Sequence, residues 1–319
     1  MPIVHSTFRA PLLFRNGHVQ TIVPALFWKV DPSIYTRERI ETPDDDFLDL
    51  DRIYTGSDKL VILCHGLEGS STSKYVVGMA KHLSENGFDA LVLNFRSCSG
   101  EMNRQLRFYH SGETGDLGFV IKNSLGEHKY KEIYLLGFSL GGNVVLKYVG
   151  EQGSVIPKEI KKAIAISAPV HLESSAYYMN RCAAKVYLNR FLKSLENKIL
   201  IKHKMMPDKI SIDGLDKIKT FHDFDNQYTG PIHGFKDAHD YYTKSSSVFY
   251  LENVSIPTLL INAKNDPFLP KECFPIDIAE KSKYLYLEIP DSGGHVGFYE
   301  GQVNGIYWTE ERALNFLNE

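Results

Sequence analysis

From residue 60 onward the chain alternates short apolar runs with longer amphipathic stretches. LVILC (60–64) precedes a helical pattern over 74–86, and DALVLNF (89–95) precedes a second one over 113–124. EIYLLGF (132–138) leads into NVVLKYVG (143–150), KAIAISAP (162–169) follows, and the pattern resumes with TLLINAK (258–264) and YLYLEIP (284–290). Near-continuous apolar strands separated by helices predict a mostly parallel sheet with helices on both faces, an α/β architecture. Ahead of it, 37–42 and 47–54 alternate in character around Pro43-Asp44-Asp45-Asp46, which predicts a hairpin with a solvated turn. A calcium loop is the other use of three aspartates, but the glycine and distal glutamate of an EF-hand are missing.

Two segments break the alternation. Residues 1–35 carry apolar residues without a period, and Pro2, Pro11, Pro24 and Pro32 interrupt any long helix. They predict an irregular arm packed on the surface. Residues 170–250 hold helix-like runs rich in Tyr, Lys and Asn and the Gly/Pro stretch 228–234, which predicts a helical cap or lid inserted between two strands. The expected organisation is one domain over 1–319 with that arm and that cap.

Composition narrows the classes. The chain has 319 residues, 43% hydrophobic and 24% charged, enough for a large core. A formal charge of −3 without a block of Lys or Arg argues against nucleic acid as a partner. Cys64, Cys98, Cys182 and Cys273 include no C-x-x-C pair, so neither a zinc site nor a disulfide framework is expected. The amino terminus lacks an apolar core behind basic residues, and no apolar run approaches the 18 or so residues of a membrane span. The expectation is a cytoplasmic protein without a transmembrane segment.

The candidate chemistry centres on Gly137-Phe138-Ser139-Leu140-Gly141, between a β-rich run and a helix-compatible run. A G-x-S-x-G turn from strand to helix lifts a serine clear of the backbone, and its glycines stand where neighbours crowd. Five residues of this kind also arise by chance, so the serine needs partners: a base, a carboxylate to orient it, and donors for a developing oxyanion. His65-Gly66-Leu67-Glu68-Gly69 directly follows a strand, and the backbone N–H groups of Leu67 and Leu140 are the candidate oxyanion donors. His65 and Gly66 read as support for that loop rather than as base. A phosphate cradle is the alternative, though neither phosphate-loop glycine pattern is present.

Asp266 leaves the strand TLLINAK just before Pro267, which suits an orienting carboxylate and equally a plain Asx-turn. Asp223, Asp225 and Asp291 are its rivals. His295, in Gly293-Gly294-His295-Val296-Gly297, follows the last predicted strand and is the candidate base. The order Ser139, Asp266, His295 is the one an α/β-hydrolase sheet requires. Acyl transfer through Ser139 needs no metal or organic cofactor.

The same residues resemble the YheT-like branch of the α/β-hydrolases. The likeness includes Asn16-Gly17-His18-Val19-Gln20-Thr21, HGLEGSSTSKY (65–75), NFRSCSGE (94–101), GFSLGGN (137–143), INAKNDPF (261–268), GGHVGF (293–298) and the cap segment 221–242. The resemblance implies an α/β-hydrolase fold with a helical cap and a Ser139, Asp266, His295 triad. It also implies carboxylic esters of short to medium acyl chain as substrates, with lipid-like esters among them. Ser97 departs from the family pattern, where glycine is expected. An acyltransferase, thioesterase or lipid-directed lipase would use the same residues, and a catalytically silent binding module would break them. Tyr177, Tyr178, Met179, Phe191 and Phe221 are candidates for an acyl pocket.

Overall fold

The computed structural model describes residues 3–301 and 305–319; Pro2, counted among the prolines of the arm, lies outside them. In chain order the strands are β1 (Ile3–Val4), β2 (Thr36–Thr42), β3 (Asp46–Ile53), β4 (Lys59–Cys64), β5 (Asp89–Asn94), β6 (Glu132–Phe138), β7 (Ile160–Ile166), β8 (Thr258–Ile261) and β9 (Leu285–Glu288). Among the described residues these form one sheet in the order β1-β9-β8-β7-β6-β4-β5-β3-β2. The β2–β3 hairpin and the β3–β5 pair are antiparallel, and the other pairings are parallel. The apolar runs are therefore the buried parallel strands that their composition predicts.

Side chains that alternate along each strand feed two cores. Leu60, Ile62 and Cys64 of β4 pack on one face and Val61 and Leu63 on the other. The helices are α1 (Gly17–Phe27), α2 (Lys74–Glu85), α3 (Thr114–Gly126), α4 (Leu140–Gln152), α5 (Leu172–Tyr178), α6 (Lys185–Met205), α7 (Phe221–Phe224), α8 (Gly230–Ile232), α9 (Ala238–Ser245), α10 (Ile276–Lys281) and α11 (Trp308–Asn318). Residues of α3, α4 and α10 join the first core, and residues of α2 and α11 the second. Helices α5 to α9 lie between β7 and β8 in sequence, and a single π-helical turn spans Asp225–Thr229.

Two expectations need correction. The arm is not irregular throughout: α1 forms over 17–27 with Pro24 inside it, capped by the Asn16 side chain, which accepts from the N–H groups of His18 and Val19. It also joins the sheet, since Ile3 and Val4 pair with Leu287 and Glu288. Nor is the aspartate turn solvated. Asp45 is exposed with φ +58, but Asp46 is fully buried and Asp44 half-buried.

Both face Arg96, just past β5. Its guanidinium is bidentate to Asp116 at 2.8 Å twice and lies 2.9 Å from both Asp44 and Asp46. Three carboxylates around one buried cation pin the loop after β5 to the hairpin. Removing one partner of such a buried cluster leaves uncompensated charge, at a cost of about 3–5 kcal/mol. Arg96→Met is therefore expected to lower the unfolding free energy by about that much, read from urea unfolding at neutral pH.

Candidate active site

Ser139 stands between β6 and α4 with φ +52 and ψ −120, a conformation an L-residue rarely adopts. Its N–H donates to the Ile166 carbonyl at 2.8 Å, which ties the turn to the end of β7. A methyl group on Gly137 would lie 2.2 Å from the Gly141 carbonyl oxygen, and one on Gly141 would lie 2.4 Å from the Cys64 oxygen. These contacts are backbone on backbone, so the two flanking glycines are steric requirements.

The three residues proposed to cooperate from the sequence come together. His295 Nδ1 is 2.8 Å from Asp266 Oδ2, and His295 Nε2 is 2.9 Å from Ser139 Oγ. A carboxylate only accepts, so Nδ1 carries the proton and Nε2 is left to accept from the serine hydroxyl. Asp266 is 2% exposed, and its other oxygen accepts from the Phe268 N–H at 2.8 Å. The Phe268 ring lies against the imidazole at 4.1 Å between centroids. The rival aspartates are engaged elsewhere. Asp223 closes a capping box on α7, Asp225 accepts from Thr229 and Tyr242, and Asp291 pairs with Lys264 at the surface.

His65 is completely buried. Its Nε2 accepts from the Phe95 N–H at 3.1 Å, so Nδ1 carries the proton and donates to the Gly66 carbonyl at 2.8 Å. Burial pushes its pKa down to about 4, which keeps the ring neutral and this pattern fixed. The Gly66 N–H donates to the Tyr75 hydroxyl at 3.0 Å, and a methyl group there would lie 3.2 Å from Ser139 Cβ. Leu67 and Leu140 line the same cavity as Ser139 and His295.

Several supporting residues were not singled out for roles in the sequence. Thr21 accepts from the His295 N–H at 2.9 Å, and Ser167 accepts from the Val296 N–H at 3.0 Å. Asn265 accepts from the Gly294 N–H and donates to the Arg15 carbonyl. Thr21 falls in the motif 16–21, and that motif was the signal available for it.

Two cavities meet at Ser139. One, of about 150 Å³, runs under the cap between Met179, Phe191, Phe221 and Tyr228. The other, of about 340 Å³, opens between α1 and α6, past Ile22, Leu26, Tyr187 and Arg190. Of the five acyl-pocket candidates, Met179, Phe191 and Phe221 line the first cavity. Tyr177 instead is half exposed and stacks on His222, and Tyr178 lies beneath the Arg181 guanidinium. Ser97 has φ +64, which explains why glycine suits that position, and it bonds Asn103 away from Ser139.

A mainly parallel sheet with a strained serine turn at a strand end defines the α/β-hydrolase class, and a family model for the alpha/beta hydrolase fold matches residues 59–302. The candidate esterase YheT of Escherichia coli is 33% identical over 95% of this chain and 91% of its own length. The chain belongs to the YheT-like family of α/β-hydrolases. A monoacylglycerol lipase of Saccharomyces cerevisiae is 29% identical over 86% of the chain, which spans 62% of that longer protein. A solved structure of the Pyrococcus furiosus esterase PF2001 superposes with a TM-score of 0.59 over 89% of this chain and 90% of its own, at 19% identity, a likeness of fold. Esterase and lipase relatives of this kind make the protein a hydrolase. Among the described residues no helix is long and apolar enough to cross a membrane.

The glycine contacts give a direct test of the turn. Gly141→Ala forces a methyl group against two carbonyl oxygens and is expected to destabilise the fold by about 1–3 kcal/mol, measured by chemical denaturation.

Proposed function

We propose that this protein is a serine hydrolase of carboxylic esters, with Ser139 as nucleophile, His295 as base and then acid, and Asp266 as the carboxylate that orients it. The observation that carries this reading is the pair of hydrogen bonds linking Ser139, His295 and Asp266 at 2.9 and 2.8 Å where two cavities meet. In the first step His295 Nε2 takes the hydroxyl proton as Ser139 Oγ adds to the acyl carbon. The carbonyl electron pair moves onto oxygen, and the resulting charge is met by the N–H groups of Leu67 and Leu140. The second of these sits at the start of α4, where the helix dipole adds to it. Collapse breaks the bond to the alcohol, which leaves with the proton held by His295. Water then attacks the acyl-enzyme by the same route and releases the acid.

The cavities support an assignment of the two ends of the ester. A mostly apolar cavity of about 150 Å³ has room for a benzene-sized group, which favours short to medium acyl chains under the cap. The wider cleft toward Tyr187 and Arg190 then takes the alcohol side, including the larger head of a lipid-like ester. In this reading the chain is one hydrolase domain, with residues 1–35 as arm and 170–250 as cap.

A fluorophosphonate probe is expected to label the wild type and to leave Ser139→Ala unlabelled. Folded wild type without Ser139-dependent labelling refutes the reading. Asp266→Asn is expected to lower kcat on p-nitrophenyl butyrate by about 10³–10⁴-fold with an unchanged melting temperature, because the imidazole then loses its working tautomer. Unchanged turnover would move the acid to another residue.

A further inference from the structure

Glu68 has no part in the ester chemistry, yet it is among the most constrained residues near the site. It follows Leu67 on the loop after β4 and has φ +54, the left-handed region that favours glycine. Its N–H donates to the Tyr109 hydroxyl at 2.8 Å, and that hydroxyl donates back to Glu68 Oε1 at 2.8 Å. The remaining partners come from the cap helix α6. Lys198 Nζ lies 2.7 Å from Oε1, and Ser194 Oγ lies 2.5 Å from Oε2. The Glu68 and Lys198 side chains are only 7% and 15% exposed, so this ion pair is shielded from water and salt. Burial alone would lower the Lys198 pKa, but its neighbours Cys98 and Glu68 outweigh it and hold the ammonium charged.

The loop geometry converts that clamp into a statement about the oxyanion donor. A trans peptide sets its N–H antiparallel to its C=O, so whatever holds the Gly66 carbonyl also aims the Leu67 N–H. Two donors hold it: His65 Nδ1 at 2.8 Å and the Gly69 N–H at 3.0 Å. His65 is fixed by the sheet side of the site. Gly69 is bonded directly to Glu68, and Glu68 is held by the cap.

We propose that Lys198 and Ser194, acting through Glu68, are positioning residues for the Leu67 oxyanion donor, so that helix α6 is a working part of the oxyanion loop. The cap thus does more than enclose the acyl chain. The loop keeps its donating geometry only while α6 is seated against Glu68. This inference rests on the serine-hydrolase reading for its kinetic consequence, but not for its structural one.

Lys198→Met removes the ammonium and keeps most of the length of the side chain. With p-nitrophenyl acetate, whose two-carbon acyl group makes least use of the cavity, kcat is expected to fall about 10–100-fold, while KM stays within about twofold. This is a smaller loss than removing an oxyanion donor outright. Hydrogen exchange of the 66–69 amides is expected to quicken about tenfold or more, with the amides of α4 still protected. Ser194→Ala, which removes one bond, should move both readouts the same way by less, and it carries the test if Lys198→Met does not fold. Unchanged exchange over 66–69 in a folded variant, or an effect confined to KM, overturns the proposal. Wild type without Ser139-dependent turnover would instead refute the ester-hydrolase reading, and the exchange comparison would still decide the clamp.

Discussion

The structure depends on one close approach of backbone to backbone. Helix α4 begins so near the end of β4 that position 141 faces the carbonyls of Cys64 and His65 at 2.4 and 2.5 Å from where a methyl group would stand. That contact brings the loop after β4 alongside Ser139 and sets the spacing between the serine and the Leu67 peptide. The positive φ of Ser139 belongs to the same constraint. A conformation of this kind costs about 1–3 kcal/mol and persists only where its surroundings over-determine it. Here the Ile166 carbonyl holds the Ser139 N–H, and the Ser139 carbonyl accepts from the Asn143 N–H.

Asn143 carries the constraint outward. One turn past the serine, fully buried, it donates to the carbonyls of Ser111 and Ser245 and accepts from the Ser247 N–H. One amide therefore binds α4 to the loop before α3 and to the segment by which the cap returns to the sheet. Glu68 makes the corresponding connection on the other side of the serine. Between them the cap is tied to the sheet at two points that flank the site, and the apolar cavity lies between those ties.

What could be read from the sequence was local. The parallel strands announced themselves because burial on both faces demands continuous apolar residues. Ser139, Asp266 and His295 could be proposed together because each follows its own strand and their order is a property of the topology. Helix α1 was hidden because its periodicity is inverted. Ile22, Leu26 and Phe27 face outward while Gln20 and Pro24 are buried, so neither the apolar stripe nor the proline reads as a helix; the Asn16 cap was the usable sign. Asp44 and Asp46 look solvated in the sequence for a different reason. Their partner Arg96 lies about fifty residues on, and no window along the chain holds both ends of that ion pair.

The arm has a consequence in the order of synthesis. Position 17 packs against the Asn265 carbonyl, position 20 touches the backbone of 294 and 297, and Thr21 holds the His295 N–H. The arm cannot complete these contacts until residues 265 and 294–297, far along the chain, are available to it. The sheet from β2 to β7 has all of its own strands long before that moment. Docking of the arm and closure of the histidine loop are then coupled, since each supplies contacts that hold the other.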